Sequence, residues 1–373
     1  MIALHRVSPI VAVACALTLA LGCGTVLPGP SPTVAVFAYV PNENTNDISA
    51  YKVAANGALT TLPDSPFNVG QSPYAGAVDP SGKYLYVANV LSGNVSGYAI
   101  TTDGSLQPIP GSPFPAAIGS ISVTIDPTDR FVYVLNCGAV CSGSGPGNVY
   151  VYTISAGTGA LEPVSGSPFA AGEFPYEMAI ERSGGFAYVA NAGSGTVSGF
   201  VIDQATGALT EIAGSPFAAG TRPQSMVLNS RNNILYVANF GSTSLSAYSI
   251  NTNGSLKPVS GSSFSTGEFA ESIDVDSSGQ YVYVAGWSGV FGYAVGAGGT
   301  LTSVPGSPFA AGIGPNYVRI DPTNQFVYVV NAGDNTVSAF SRNQSTGALS
   351  AIPDSLVTAG SFPMSIILAT VRR

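Results

Sequence analysis

Seven copies of one four-residue pattern, Tyr-Val-x-Asn, limit what this chain can fold into more than any other feature of its 373 residues. Five copies are intact: Tyr86–Asn89, Tyr133–Asn136, Tyr188–Asn191, Tyr236–Asn239 and Tyr328–Asn331. Two are looser. Tyr39–Asn42 carries Pro41 at its third place, and Tyr283–Gly286 ends on Gly instead of Asn. The fourth residues fall at 42, 89, 136, 191, 239, 286 and 331, so the steps are 47, 47, 55, 48, 47 and 45. A fixed period in this range marks a repeat array, in which one unit cannot bury its own faces and stacking on its neighbours completes the core.

Within each unit, four short apolar segments alternate with turn signals. In the second unit Tyr74–Val78 reads as a first strand, Asp79-Pro80-Ser81-Gly82 as a turn, and Lys83–Ala88 as a second strand with Tyr84 and Tyr86 on one face. Val95–Ile100 reads as a third strand, Asp103-Gly104 as a hairpin turn that accepts positive φ, and Ser105–Ile109 as a fourth. The unit closes on Ser112-Pro113-Phe114, a box that recurs at Ser65–Phe67, Ser167–Phe169, Ser215–Phe217 and Ser307–Phe309. Four antiparallel strands per unit, seven times over, predict an all-β, seven-bladed β-propeller. The first unit lacks a first strand of its own, and the segment after the last closing box, around Ser365–Thr370, reads as a strand without a blade. The C-terminal strand is therefore expected to close blade 1 and remove a free sheet edge.

Composition agrees with a folded array. Charged residues are only 9%, and the 45 Gly and 27 Pro recur at fixed places in the unit, as turn punctuation does. A net charge of −8 with 12 Lys and Arg leaves no basic stripe, which argues against nucleic-acid binding. Residues 1–22 read as a signal peptide: one early Arg, an apolar run from Val7 to Leu21, and the ending Ala20-Leu21-Gly22-Cys23 of a bacterial lipobox. Cys23 is the expected lipidation site, residues 23–33 a flexible tether and 34–373 the propeller. The chain is thus expected to be exported to the periplasm or cell surface and to meet the membrane through the lipid anchor only. Cys137 and Cys141 share one loop, where an oxidising compartment favours a small disulfide. Two Cys without neighbouring His do not supply a zinc site, and no metal or other cofactor is expected.

The Tyr-Val-x-Asn boxes, the Asp-Pro-x-Gly-like turns and the sevenfold period resemble the lactonase-type seven-bladed propellers, the 6-phosphogluconolactonase and carboxymuconate cyclase-like family that overlaps with the YVTN-repeat propellers. The resemblance covers roughly residues 34–373. It implies hydrolysis of a lactone ester by polar and charged residues, His and Arg included, at the mouth of the central channel. The only His in this chain is His5, in the leader, so a His-based triad or metal site is excluded.

The innermost strands hold the candidate site. One alternating set is mostly small or polar, as crowding at an axis requires, and Glu177, Asp274, Tyr317 and Arg319 break that rule. A charge near the axis must be paired or hydrated. Asp274 and Arg319 stand at equivalent places in adjacent blades and read as an ion pair. Glu177, Asp274 and Arg319 are the candidate catalytic residues, and Tyr317, Glu271, Arg222 and Asn316 the candidate ligand-binding ones. Calcium held by Glu177, Glu271 and Asn316 is disfavoured, because the two Glu alternate to different sides. Trp287, the only Trp, reads as a cover for a blade edge or, alternatively, as a stacking surface at the rim. The residues alone point to a binding or scaffold module for a small polar ligand, a glycan or an envelope protein. The resemblance implies instead a lactonase opening a sugar or muconate-type lactone.

Overall fold

The computed structural model describes residues 34–138, 141 and 145–372. The leader, Cys23 and the tether lie outside the described residues. Seven antiparallel sheets follow one another along the chain. In blade 2 the strands run Pro73–Val78, Tyr84–Asn89, Asn94–Ile100 and Leu106–Pro108, from the axis outward. Blade 1 is completed as expected: Ile367–Arg372 pairs antiparallel with Val34–Asn42, with Ile367 opposite Tyr39 and Val34 opposite Arg372.

The structure adds a fifth element to the expected four. In six blades the Phe or Val of the closing box forms a two- to five-residue strand against the third strand, such as Phe114 opposite Val95. The box serine explains the anchoring. Its Oγ accepts a third-strand backbone N–H, as Ser112 does from Gly97 at 2.9 Å and Ser262 from Ala247 at 2.8 Å. Of the box aromatics, Phe114 is buried, while Phe67, Phe169 and Phe217 are half-buried.

The repeated box residues each satisfy a backbone or loop group. Every box tyrosine is fully buried, and its hydroxyl donates to the carbonyl of the hairpin glycine in the next blade. Tyr39 reaches Gly104 at 2.7 Å, Tyr188 reaches Gly254 at 2.8 Å and Tyr236 reaches Gly299 at 2.9 Å. Tyr328 of blade 7 returns to Gly57 of blade 1 at 2.9 Å, so the ring of bonds closes. Gly57 sits at φ 84°, and a Cβ there would lie 2.3 Å from the Phe326 ring. Both the backbone conformation and the packing of the preceding blade therefore demand glycine. The box asparagine ties the second strand to the third: Asn89 Nδ2 donates to Asn94 Oδ1 at 2.8 Å and to Ser96 Oγ at 2.9 Å. The turn aspartates accept two successive N–H groups, as Asp276 does from Gln280 at 2.8 Å and Tyr281 at 2.7 Å. Asp276 also pairs with Arg342 of blade 7 at 3.4 Å, both side chains almost wholly buried.

Candidate active site in the central channel

The innermost strands all run from the face carrying the Tyr-Val-x-Asn loops towards the face carrying the Asp turns. In blades 3, 4, 5 and 7 the pairing register with the second strand skips one residue just after the start, at Ile121, Tyr176, Gln224 and Asn316, and in blade 2 it slips by one residue between Pro73 and Gly76. Such bulges leave a residue unpaired and re-aim its side chain. Together with Tyr74, Glu271 and Met364 of the other blades, these residues ring the mouth of an axial cavity of about 940 Å³ lined by all seven innermost strands. The volume suits a small-molecule site.

Sequence reasoning singled out Glu271 and Asn316 but missed Tyr74, Tyr176 and Gln224 in the same position. A signal was available, since Pro73, Pro175, Pro223 and Pro315 stand directly before Tyr74, Tyr176, Gln224 and Asn316. The Tyr74 and Tyr176 hydroxyls touch, and their rings meet edge-on at 5.8 Å, narrowing the mouth above blade 3. Arg222 was expected beside Glu271 as a widening of the pocket. It is absent from the cavity wall; its guanidinium lies over the Phe240 ring at 4.9 Å, on the rim. Asn316 lines the cavity and donates from Nδ2 to the Pro363 carbonyl at 2.9 Å.

One turn deeper, the candidate residues separate. Glu177, Tyr317 and Arg319 line the cavity, and Asp274 does not. Asp274 stands 3.9 Å from Arg319, with 10% of its side chain exposed against 39% for the arginine. The pair is therefore open on one side: the carboxylate is covered, and the guanidinium faces the channel. Asp274 Oδ2 also accepts the Ile320 N–H of blade 7 at 2.8 Å. Glu177 Oε2 accepts the Met226 N–H of blade 5 at 2.9 Å. Ser225 accepts from Ile273 at 3.2 Å, and Thr124 donates to the Met178 carbonyl at 3.0 Å. These bonds answer a need of the fold. Each innermost strand has one unpaired edge, and in blades 2, 4, 5, 6 and 7 a side chain of the preceding blade satisfies part of it. The small and polar set thus borders the channel and also stitches adjacent blades.

Burial raises the carboxyl pKa of Glu177, opposed by the Ser225 hydroxyl, the Met226 N–H and the Arg319 charge. Burial likewise raises Asp274, with Arg319 and the Ile320 N–H opposing. Burial pushes the Tyr317 phenol up to about 12, with Arg319 pulling the other way. Tyr317, Asp274 and Glu177 hold Arg319 firmly in its charged form, and its Nη2 donates to the Tyr317 hydroxyl at 3.2 Å. The arrangement is a carboxylate with raised basicity on blade 4 and a fixed cation on blade 7, both lining one cavity. Chemically, it can take a proton from water and stabilise a developing oxyanion. Among the described residues, no group of three or more His, Cys, Asp and Glu is placed to hold a metal ion.

Cys137 and Cys141 stand 5.2 Å apart at Cα, a spacing a disulfide spans. Cys137 directly follows the second strand of blade 3, Phe131–Asn136, at its mouth end.

The family model "Lactonase, 7-bladed beta-propeller" matches residues 37–221 and 215–365, and the chain belongs to this family. Solved structures agree on the fold. A Bacteroides fragilis protein, provisionally assigned as a 6-phosphogluconolactonase, is 19% identical over 90% of this chain and 98% of its own, with a TM-score of 0.74. The Pseudomonas aeruginosa periplasmic gluconolactonase PpgL is 16% identical over 90% and 99%, also with a TM-score of 0.74. A Lactobacillus plantarum protein is 18% identical over 91% and 100%, with a TM-score of 0.75. No curated protein matches the sequence.

Proposed function

We propose that this protein is an exported lactonase-type hydrolase that opens an uncharged sugar lactone in its central channel. The observation that carries the reading is the joint presence of Glu177 and Arg319 on the wall of one open cavity. Family membership supplies the reaction class. Glu177 takes a proton from a water molecule as its oxygen adds to the lactone carbonyl carbon. Arg319, with the Tyr317 hydroxyl beside it, stabilises the oxyanion that forms. The intermediate collapses by breaking the ring C–O bond, and the proton on Glu177 passes to the departing alkoxide. The products are the carboxylic acid and the freed hydroxyl of one open-chain molecule.

The charge balance of the wall narrows the substrate. Its carboxyl and guanidinium groups are Glu43, Glu177 and Glu271 against the single Arg319. Such a wall repels a phosphate ester or a carboxylated muconate-type lactone and accepts a neutral one. The leader ending in Cys23 supports export and lipid anchoring, as does the periplasmic setting named for PpgL. Replacing Cys23 by Ala should move the protein from the membrane fraction to the soluble one.

A second reading, a non-catalytic binding module at the cell envelope, is favoured by one observation. Glu177 and Asp274 already accept backbone N–H groups of the next blade, which is a sufficient structural use for both. Turnover decides between the two. The purified protein should hydrolyse glucono-1,5-lactone faster than the spontaneous reaction, and faster than it hydrolyses the 6-phosphate ester or a muconolactone. Absence of turnover on all three overturns the hydrolase and leaves the binding module. Preference for the charged lactones overturns the substrate assignment alone.

A further inference from the structure

Below its polar mouth the axial cavity changes character. The residue four places after the mouth position is aliphatic in all seven blades. Each pairs with the residue just before a box tyrosine, as Val78 does with Leu85 and Ile180 with Ala187. Leu368, Val78, Ile125, Ile180, Leu228 and Ile320 line the cavity, and Val275 holds the same register in blade 6, opposite Val282. Together they form an aliphatic collar. All but Ile320 keep part of their surface exposed. Beyond the collar, Pro80 and Pro322 line the cavity, whereas the turn aspartates Asp79 and Asp321 do not. The end remote from the mouth is therefore apolar.

The cavity is also divided from side to side. Glu177 on blade 4 and Arg319 on blade 7 stand three blades apart, the largest separation a ring of seven allows. A ligand that touches both spans the channel, with blades 5 and 6 on one side of it and blades 1 to 3 on the other. Blades 5 and 6 contribute Gln224, Ser225, Glu271 and Ser272. Below the mouth residues, blades 1 and 2 contribute no polar side chain: Ala75, Gly76, Ala77 and Ile367 lead down to Val78 and Leu368. Ala75, Gly76 and Ala77 carry nothing larger than a methyl group, and all three are half-buried. A Cβ at Gly76 would lie 2.4 Å from the Tyr86 carbonyl oxygen, so the packing of the blade keeps this wall bare. The result is an apolar recess. It runs from the level of Glu177 to the collar, three residues or about 10 Å along a strand.

We infer, resting on the hydrolase reading for the reaction itself, that the uncharged lactone carries an alkyl chain, and that the recess of blades 1 and 2 holds this chain down to the collar. The ligand is thus an amphiphile, with its polar head between Glu177 and Arg319 and its tail against Ala75, Ala77, Ile367, Val78 and Leu368. A single six-membered ring fills only part of a cavity of about 940 Å³, which lies at the upper end of the range for drug-sized ligands. Water in the recess finds no side-chain hydrogen-bond partner on these two blades, so an apolar chain displaces it favourably. The length of the recess suits a medium-length chain. The Arg319 guanidinium is held against Tyr317, 5.7 Å from its ring, and Asp274 stays out of the cavity wall. The charged groups therefore serve the head, and the collar is left to the tail.

Alkyl glucosides test the recess apart from turnover, since they carry a neutral polar head and no lactone bond. Full-length protein should be titrated by calorimetry with methyl, hexyl and octyl β-D-glucoside, each below its micelle-forming concentration. A buried methylene is worth about fourfold in affinity, so octyl glucoside should bind at least about tenfold tighter than methyl glucoside, with hexyl between them. Val78→Thr keeps the shape of the collar and adds a hydroxyl, and Ala75→Gln places an amide in the recess. Each should weaken octyl glucoside about fivefold or more. Thermal melts show which variants are folded, and either one alone suffices. The rival place for an alkyl chain is the outer rim, where Trp287 is 62% exposed, covers no blade edge and lies 5.4 Å from the Phe269 ring. Phe269→Ala should leave the octyl glucoside affinity unchanged. Absence of octyl glucoside binding, equal affinity for methyl and octyl glucoside, or undiminished binding by the folded recess variants overturns the proposal. So does a loss in Phe269→Ala, which places the chain on the rim. Turnover of glucono-1,5-lactone is read separately. Its absence with the chain-length dependence intact removes the hydrolase and keeps the recess, and the reverse removes the recess alone.

Discussion

The tyrosines between blades and the side chains around the channel stand on neighbouring strands, yet the fold uses them in opposite ways. Between blades, seven buried hydroxyls make one repeated bond to a glycine carbonyl, as Tyr39 does to Gly104 and Tyr328 to Gly57. Around the channel, the equivalent task of joining a blade to the next falls to Thr124, Glu177, Ser225 or Asp274, each with its own partner. The first region is dry and has a single geometric solution, so one residue type repeats. The second borders an open cavity, where a solvent-reachable edge tolerates several donors and acceptors. That tolerance is where a site for chemistry can develop without loss of the fold.

Four tests probe this contrast, in descending order of effect. Arg342→Ala should cost about 3–5 kcal/mol of stability, because it strands the buried Asp276 carboxylate in the dry region. Equilibrium denaturation measures it, and a cost below about 1 kcal/mol would show that this region is wetter than its burial implies. On the channel side, Arg319→Ala should lower kcat by about 10²–10³-fold. Glu177→Gln, which keeps an acceptor for Met226, should lower it about 10²-fold or more. The wild-type rate should rise with pH through the raised pKa of Glu177, and that limb should vanish in Glu177→Gln.

The third test sets the two regions side by side. Tyr236→Phe leaves the buried Gly299 carbonyl without its donor and should cost about 1–2 kcal/mol. Thr124→Val removes a comparable bond to Met178 but should cost less than about 1 kcal/mol, since channel water replaces the hydroxyl. Equal costs would abolish the distinction.

The smallest effect belongs to a departure from regularity on the Asp-turn face. Burial and the neighbouring Asp79 push the Asp129 carboxyl up to about 6. The folded state then holds a proton that the unfolded chain has already released, so stability is greatest at low pH within this window. It falls as pH rises from about 4 to about 6. Asp129→Asn should remove that slope and raise stability at neutral pH by about 1 kcal/mol, the linkage being discounted for partial exposure. Thermal melts at a series of pH values measure it, and an unchanged slope would remove Asp129 as its source.

Blade number and turn positions were legible in the sequence because each rests on local chemistry, and closure by the C-terminal strand because the first unit lacks a strand that the last segment supplies. Asp276 and the N–H groups it accepts are at most five residues apart. Asn89 and its two partners lie within seven. The odd residues Glu177, Tyr317 and Arg319 were legible as breaks in a small-residue column, and they do border one cavity. The bulges that aim Tyr176 and Gln224 at the mouth left only the preceding Pro175 and Pro223 as a mark, since the slip itself is a relation between two strands.

The sequence by itself determined the repeat, its period and the residues that every turn needs. Only the tertiary structure decided which unit each side chain serves. It set Asp274 behind Arg319, paired Arg342 with Asp276, moved Arg222 from the pocket onto Phe240, and assembled Phe240, Phe269 and Trp287 into one row. The physical reason is distance along the chain. A turn is specified by neighbours a few residues away, whereas a contact between blades joins groups roughly one repeat apart, and it exists only once the ring has closed.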